Sequence, residues 1–220
     1  MKAMILAAGR GERMGALTAA QPKPLLEIGG RSLVEHHVVR LVASGVDEIV
    51  INLSYRGTQI RAQLGDGSRF GISIAYSEEG EPPLETAGGI VHALPLLGME
   101  PFLLVNSDVF TSFDFRVLID GPRAPALVLV PNPPHNPRGD FGIDAAGHVC
   151  AAPPLLTYAG IALFDPRSFA KLEPGRRPLK PWLDAAIARR ELRGLAFAGS
   201  WLDVGTPERL EAARAMAAEG

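Results

Sequence analysis

The chain has 220 residues, 47% of them hydrophobic, and this length and composition predict one globular domain with a sizeable core. The formal net charge is −2, so the chain has no excess of basic residues of the kind that favours a nucleic-acid partner, and none is expected. The single cysteine, Cys150, excludes an internal disulfide and a cysteine-rich zinc site, and we expect a buried free thiol. No apolar run in the sequence is long enough to span a membrane, so we expect a cytoplasmic protein with no membrane partner.

The first half of the chain alternates between predicted strands and predicted helices. Apolar residues 4–8 form the first strand, and a helix follows over 32–45, where Ser32 and Glu35 have the spacing of a capping box. The alternation continues with a strand, a helix and a strand at 48–53, 59–64 and 72–76. This order predicts an α/β fold with a Rossmann-like, mainly parallel sheet flanked by helices.

The second half of the chain begins in the same way and then changes character. A helix and two apolar strands are predicted at 85–94, 102–106 and 127–130. The segment 131–139 is rich in proline and asparagine, which predicts a mobile loop. After it, short β elements at 141–143 and 155–163 predict a small β-rich part with antiparallel pairing, so the sheet is expected to be mixed. Helices are predicted at 180–190 and 207–218.

A glycine-containing loop follows the first predicted strand. Gly9 and Gly11 allow backbone N–H groups to approach phosphate oxygens, and Arg13 and Lys23 supply positive charge nearby. This pattern indicates a triphosphate-binding loop, with an ordinary strand–loop–helix turn as the alternative. A dinucleotide fingerprint is poorly matched, because Met14 stands at its last glycine and the second strand ends without a ribose-binding acid.

Two aspartates, Asp108 and Asp203, each follow an apolar segment and are expected at strand ends. Two carboxylates on one Mg²⁺, with phosphate oxygens and water in its other positions, are a usual way for proteins to hold magnesium. We therefore predict a Mg²⁺ site at these two residues. For each aspartate alone, a turn or N-cap role is the alternative.

Four motifs occur in order along the chain: Ala7-Ala8-Gly9-Arg10-Gly11-Glu12-Arg13-Met14 with Pro22-Lys23-Pro24, then Leu84-Glu85-Thr86-Ala87-Gly88-Gly89, Asn106-Ser107-Asp108 and Trp201-Leu202-Asp203-Val204-Gly205-Thr206. Together they resemble the motifs of the sugar-1-phosphate nucleotidylyltransferase family. Their spread over nearly the whole chain makes the resemblance specific. It implies the nucleotide-diphospho-sugar transferase fold and an enzyme that transfers a nucleotidyl group from a nucleoside triphosphate to a sugar-1-phosphate, releasing pyrophosphate.

The resemblance also implies roles for individual residues. Arg13, Lys23 and Asp108 are expected to be catalytic, and Asp108 and Asp203 to bind Mg²⁺. The expected nucleotide-binding residues are Ala7, Ala8, Gly9, Gly11, Arg13, Lys23, Glu85, Thr86, Gly88 and Asn106. The expected substrate-binding residues on the sugar side are Arg138, Asp140, Gly160 and Lys180. The single domain 1–220 would comprise a nucleotide-binding part (about 1–130), a sugar-phosphate-binding part (about 131–205) and a C-terminal helix (206–220).

Within the family, the compact length and three segments resemble the N-acetylmuramate-1-phosphate uridylyltransferases of bacterial cell-wall recycling; the segments are 65–71, 79–82 and 138–141. This implies UTP and N-acetylmuramate 1-phosphate as substrates. Mannose-1-phosphate guanylyltransferases share the general motifs and are the alternative. The sequence leaves the base open, because backbone groups can pair with uracil and the Glu85 carboxylate can accept hydrogen bonds from guanine.

Two of the chain's departures from the family pattern bear on charge in the site. Gly15 and Ala16 stand where relatives have a basic residue and a proline, so the glycine loop lacks one positive charge and one rigid φ. The segment 151–154 offers no cation where many relatives hold the sugar phosphate, and Lys180 or Arg138 is expected to replace it. Reduced activity is therefore first expected to arise at the glycine loop.

Three other functions fit parts of the sequence. A nucleotide-binding module without turnover would explain the changes at 15 and 16, but the retained basic and acidic residues argue against it. An NAD(P)-dependent oxidoreductase is disfavoured by the incomplete fingerprint. Cytidylyl transfer to a non-sugar phosphate is a closer rival on the same fold. The expected oligomeric state is a monomer or a small homo-oligomer.

Overall fold

The computed structural model describes residues 1–121 and 124–218, and at its centre lies a seven-stranded sheet. The strands in chain order are β1 (Lys2–Leu6), β2 (Glu27–Ile28), β3 (Arg31–Ser32), β4 (Glu48–Leu53), β5 (Ser73–Glu78), β6 (Phe102–Asn106), β7 (Val109–Thr111), β8 (Ala126–Val130), β9 (Gly142–Ile143), β10 (Val149–Cys150), β11 (Thr157–Phe164), β12 (Arg193–Ala196) and β13 (Trp201–Asp203). The main sheet has the order β12-β8-β11-β6-β1-β4-β5.

The pairing within this sheet is mixed and mainly parallel. β6, β1, β4 and β5 are parallel neighbours, and β12 runs parallel to β8. β11 is antiparallel to both β6 and β8, with a register shift between Tyr158 and Ala162. β9 and β10 form a small separate sheet, as do β7 and β13. The predicted fold class is therefore confirmed.

Helices cover both faces of the sheet. They are α1 (Leu33–Ala43), α2 (Gly57–Leu64), α3 (Glu85–Leu97), α4 (Arg116–Ile119), α5 (Lys180–Ala188) and α6 (Pro207–Ala218). α1 begins with the predicted capping box, in which the Glu35 carboxylate accepts the Ser32 N–H at 3.0 Å. Short 3₁₀ turns occupy Glu12–Thr18, Lys23–Leu25, Ser68–Phe70 and Pro166–Ser168. Within residues 1–121 and 124–218, no helix combines the length and apolar character needed to cross a membrane.

Alternate strand residues build two separate cores, one on each face of the sheet. Ile5 packs in the core beneath α1, α2 and α4, whereas its neighbour Met4 packs in the core beneath α3 and α5. A third, smaller core joins the glycine loop to the C-terminal helix, because Met14 packs with Val204 and Leu210. The loop near the N-terminus is thus anchored by the last helix of the chain.

Some element boundaries differ from the sequence-based expectation. β1 ends at Leu6 rather than at residue 8, because the Ala7 N–H leaves the ladder and donates to the Asn52 side chain at 2.7 Å. Cys150 is partly exposed rather than buried, since it lies on a two-residue strand outside the main sheet. The loop 131–139 is tied to β11, where Thr157 Oγ1 donates to Asn132 Oδ1 at 2.9 Å.

Candidate active site

The site lies at the edge of the sheet where β1, β4 and β6 end. Leu6 is in register with Asn52 on one side and with Asn106 on the other, so the polar residues that end these strands lie side by side. Asn52 Nδ2 donates to Glu79 Oε1 at 2.6 Å, and Glu79 Oε2 accepts the Leu84 N–H at 2.8 Å. This hydrogen-bonded chain fixes a carboxylate at the strand ends.

The glycine loop is closed by its own hydrogen bonds. Thr18 Oγ1 lies 3.2 Å from the Gly11 carbonyl and 3.3 Å from that of Gly15. Both glycines have positive φ, 66° at Gly11 and 56° at Gly15, which other residues rarely adopt. A β-carbon at Gly11 would lie 3.1 Å from the Lys23 β-carbon, so the loop folds back directly onto this lysine.

Lys23 and Asp108 form a largely enclosed ion pair in the site. Lys23 Nζ lies 2.6 Å from Asp108 Oδ2, and the two side chains are 13% and 23% exposed. Pro22 and Pro24 hold the lysine in a short 3₁₀ turn, while Asp108 lies in the turn between β6 and β7. Two of the predicted catalytic residues are therefore in contact.

Asp203 reaches the same place through the small β7–β13 sheet. It is in register with Val109, and the Val204 N–H donates to the Asp108 carbonyl at 2.7 Å. Trp201 fixes β13 from behind, because its Nε1 donates to the Ala159 carbonyl at 2.9 Å. The two predicted metal-binding aspartates thus line one cavity of about 290 Å³.

The Asp203 carboxylate has two basic partners. Arg209 Nη1 donates to its two oxygens at 2.7 and 2.6 Å, and His135 Nε2 lies 2.9 Å from Oδ1. Gly205 makes room for this arrangement, since a β-carbon there would lie 2.3 Å from Arg209 Nη2 and 3.1 Å from Arg13 Nη2. Arg13, the remaining residue predicted to be catalytic, therefore approaches Asp203 from the glycine loop.

Three adjoining cavities share lining residues and form one cleft. The strand-end cavity, about 320 Å³, is lined among others by Ala8, Gly9, Lys23, Asn52, Glu79, Glu85, Thr86, Asn106 and Asp108. The glycine-loop cavity, about 600 Å³, is lined by Arg10, Gly11, Glu12, Arg13, Lys23, Pro82, Pro83, Arg176 and Gly205. The carboxylate cavity is the one that Asp108 shares with Asp203, and Arg13, Asn106, His135, Asn136 and Gly160 also line it. Lys23 borders the first two cavities, Arg13 the second and third, and Asp108 the first and third.

The start of α3 is packed tightly against the loop 173–178. The N–H groups of Ala87 and Gly88 donate to the Arg177 carbonyl at 3.0 and 3.1 Å. A β-carbon at Gly88 would lie 2.3 Å from the Gly175 carbonyl oxygen, so only glycine allows this approach. Glu85 lines the strand-end cavity and pairs with Arg176, 2.7 Å away.

The predicted sugar-side residues are spread more widely. Gly160 lines the carboxylate cavity. Its lack of a side chain makes room for Asn106, because a β-carbon at Gly160 would lie 2.7 Å from Asn106 Nδ2. Asp140 accepts the Tyr158 N–H at 2.8 Å and so anchors the 131–139 loop. Arg138 is exposed and borders none of the three cavities. Lys180 lies outside them as well, paired with Asp184 at the start of α5.

Several residues in or beside the cleft were not predicted to be functional from the sequence; they are Asn52, Glu79, His135, Arg176 and Arg209. Asn52 had a usable signal, since a polar residue near the end of an apolar strand marks the ligand-binding edge of an α/β sheet. His135 and Arg209 had none, because their roles depend on which distant segment they meet.

His37 of α1 is buried behind Asp108. The side chain is 2% exposed and neither ring nitrogen has a hydrogen-bond partner among the described residues. Burial lowers the pKa of His37 to about 4, against a smaller opposing effect of the Asp108 charge. The ring is therefore neutral near pH 7.

The family of the chain follows from comparison with known proteins. The model of the nucleotidyl transferase family matches residues 2–148. The chain therefore belongs to this family and is a nucleotidyltransferase, which sets aside the oxidoreductase and the binding module without turnover. The predicted resemblance to sugar-1-phosphate nucleotidylyltransferases is confirmed by individual relatives.

Two of these relatives are N-acetylmuramate alpha-1-phosphate uridylyltransferases. The protein of Neisseria meningitidis serogroup B is 46% identical, over 99% of this chain and 98% of its own length. That of Caulobacter vibrioides is 34% identical, over 99% and 97%. A mannose-1-phosphate guanyltransferase of Hypocrea jecorina is 31% identical over 94% of this chain, which spans 62% of that protein.

Solved structures support the fold. A Bacillus anthracis protein in complex with sucrose superposes with a TM-score of 0.86 at 23% identity, covering 99% of this chain and 95% of that one. HddC from Yersinia pseudotuberculosis, complexed with GMP-PN, gives 0.79 at 20% identity, covering 98% of each chain. At such identities the likeness establishes the fold alone.

Proposed function

We propose that this chain transfers a uridylyl group from UTP to N-acetylmuramate 1-phosphate, giving UDP-N-acetylmuramate and pyrophosphate, as a cytoplasmic step of peptidoglycan recycling. The specific substrates are supported by the uridylyltransferase relatives, which match the chain over almost its whole length at 46% and 34% identity. The residues of the cleft support the reaction itself.

One observation carries the proposal: three cavities meet at Lys23, Arg13 and Asp108. The strand-end cavity is suited to the base and ribose, because the ordered Glu79 carboxylate and backbone groups of the loop face it. The cations of the glycine-loop cavity are suited to the β- and γ-phosphates. The α-phosphate then lies beside the Lys23–Asp108 ion pair, where these cavities adjoin, and the sugar phosphate enters through the carboxylate cavity.

The chemistry needs alignment and charge stabilisation more than proton transfer. An oxygen of the sugar-1-phosphate forms a bond to the α-phosphorus of UTP, and the bond from that phosphorus to the oxygen bridging to the β-phosphorus breaks. Pyrophosphate leaves with that oxygen. Because the nucleophile is already an anion, no strong base is required. Lys23 and Arg13 offset the negative charge of the two substrates as they approach each other.

The carboxylate cavity also fits the Mg²⁺ that nucleotidyl transfer generally uses. Asp108 and Asp203 offer hard oxygen ligands in a single cavity, which is the donor chemistry that Mg²⁺ prefers, with phosphate oxygens completing its shell. In the described residues no group of three or more acidic, histidine or cysteine side chains gathers as a metal site. A bound Mg²⁺ would supply positive charge at the α-phosphate.

The acceptor phosphate needs cations within the carboxylate cavity. Arg13 lines that cavity, whereas Arg138 and Lys180 do not border it. Arg13 therefore takes over the role that the sequence suggested for the two more distant cations. Gly160 and Asn106 would face the sugar, while Asp140 acts by holding the loop that carries His135 and Asn136.

The test is a matrix of four nucleoside triphosphates against four sugar-1-phosphates, those of N-acetylmuramate, N-acetylglucosamine, mannose and glucose, with Mg²⁺ and detection of pyrophosphate. We expect the largest kcat/KM for UTP with N-acetylmuramate 1-phosphate. Turnover with GTP and mannose 1-phosphate, together with inactivity of the uridylyl pair, would establish instead the guanylyl activity named for the Hypocrea jecorina relative. Mass measurement in solution tests the proposed monomer or small homo-oligomer.

A further inference from the structure

The glycine loop of this chain has two uncharged residues, Gly15 and Ala16, between Arg13 and Lys23. Gly15 adopts a left-handed conformation, with φ 56° and ψ −126°, that permits the sharp turn of the loop. A side chain at this position would be strained, so any positive charge beyond that of Arg10, Arg13 and Lys23 comes to the glycine-loop cavity from another segment.

The loop 173–178 is a candidate source because its backbone is fixed beside the cleft. The Arg177 N–H donates to the Leu84 carbonyl at 2.8 Å, and the Arg177 carbonyl accepts from the first turn of α3. Gly175 lies against Gly88, where a β-carbon would be 2.3 Å from the Gly175 carbonyl oxygen. Arg176 stands between these two contacts, so its backbone has little freedom although its side chain is 65% exposed.

The Arg176 side chain faces the phosphate part of the cleft. It lines the glycine-loop cavity together with Arg10, Gly11 and Arg13. Its Nη2 lies 2.7 Å from Glu85 Oε1, and Glu85 lines the neighbouring strand-end cavity. One ion pair therefore spans the boundary between the two cavities.

We propose that Arg176 binds the β- and γ-phosphates of the donor nucleotide, and that Glu85 is a positioning residue for Arg176 and does not read the base. This inference rests on the proposed function and names a further binding residue for its donor. A guanidinium presents paired N–H donors that match phosphate oxygens, and Arg176 adds its positive charge to the cavity that Arg10 and Arg13 also line. The close backbone approach at Gly88 then serves to dock the loop that carries Arg176.

Binding of tripolyphosphate in the presence of Mg²⁺, measured by calorimetry, isolates the phosphate contact from the base and from turnover. We expect Arg176→Ala to weaken tripolyphosphate and UTP binding by a similar factor, about tenfold or more, as for loss of a charge-assisted hydrogen bond. Arg176→Lys should restore part of the affinity, since the charge remains but the paired donors do not. Arg189→Ala is the matched control, because Arg189 pairs with Glu191 outside the cleft.

A double-mutant cycle tests the role of Glu85. If Glu85 acts through Arg176, Glu85→Gln weakens UTP and GTP binding by the same factor. The double variant should then bind both nucleotides about as weakly as Arg176→Ala alone. The inference is overturned if Arg176→Ala binds tripolyphosphate as tightly as the wild type, or if the wild type shows no measurable binding. A change of base preference in Glu85→Gln without loss of tripolyphosphate affinity overturns the positioning role. Arg176-dependent tripolyphosphate binding in a protein that transfers no uridylyl group would refute only the proposed function.

Discussion

Removal of the charge on Asp108 tests the centre of the site most directly. Asp108→Asn keeps the side-chain shape and an oxygen that can still accept from Lys23, whose Nζ lies 2.6 Å from the carboxylate. The two side chains are only 13% and 23% exposed, so water screens the lost charge weakly. Loss of one preorganised electrostatic contact costs about 2.7–4 kcal/mol in the transition state, and we therefore expect kcat to fall by about 10²–10³.

The assay is pyrophosphate release at saturating UTP, N-acetylmuramate 1-phosphate and Mg²⁺, with thermal unfolding measured in parallel. Breaking a partly buried ion pair costs more stability than breaking an exposed pair and less than breaking a buried one. We therefore expect the free energy of unfolding to fall by about 1–2 kcal/mol. For a chain of this size that corresponds to a Tm change of about 2–8 °C. The variant should therefore remain folded at 25 °C.

The matched control is Asp114→Asn. Asp114 follows Asp108 in the chain and is an exposed acid that pairs with Arg116. This substitution should leave kcat unchanged. A folded Asp108→Asn enzyme with near-normal turnover would refute the assignment of Asp108 to the metal and the α-phosphate.

Four further variants probe other parts of the site. Lys23→Ala should lower kcat by about 10²–10³ while the fold survives, as measured by pyrophosphate release and circular dichroism. Gly9→Ala should leave Tm unchanged, because a β-carbon there has no neighbour within 4 Å, but it should weaken UTP binding measured by calorimetry. Gly88→Ala should lower Tm, since the cost of overpacking, about 1–3 kcal/mol, exceeds the helix-propensity gain of about 1 kcal/mol. Burial lowers the His37 pKa from 6.5 to about 4, so the unfolded chain takes up the proton first and stability is lost as pH falls from about 6.5 towards 4. His37→Leu should remove up to about 3 kcal/mol of that loss in urea titrations across this range.

Local patterns in the sequence predicted most of the elements. The capping box at Ser32 and Glu35 marks the start of α1, and the α6 bounds agree with the predicted 207–218. Such features depend on residues close together in the chain, which is why periodicity and capping reveal them. The end of β1 was misjudged because Ala7 is apolar but uses its N–H for Asn52, a contact between distant segments.

The side chains that complete the cleft could not be predicted in the same way. β7 and β13 are three residues each, too short for a clear alternation, although their pairing is what brings Asp203 to Asp108. Arg209 and Arg176 have no distinguishing neighbours in the sequence. Only the packing of α6 brings Arg209 to Asp203, and only the packing of the loop 173–178 brings Arg176 to the cleft. Topology decides such contacts.

The cations of the glycine-loop cavity differ in how much charge they can offer to a triphosphate. Arg10 pairs with Glu81 at 2.8 Å and Lys23 with Asp108, so an incoming phosphate must compete with a carboxylate at both. Arg176 contacts Glu85 through Nη2, which leaves only part of its guanidinium to a phosphate. Within residues 1–121 and 124–218, Arg13 forms no ion pair and lines two of the three cavities. Its charge is therefore available without exchange of partners, and Arg13→Ala should weaken tripolyphosphate binding more than Arg176→Ala does. An equal or smaller loss of affinity in Arg13→Ala would show that the existing ion pairs do not limit what each cation contributes.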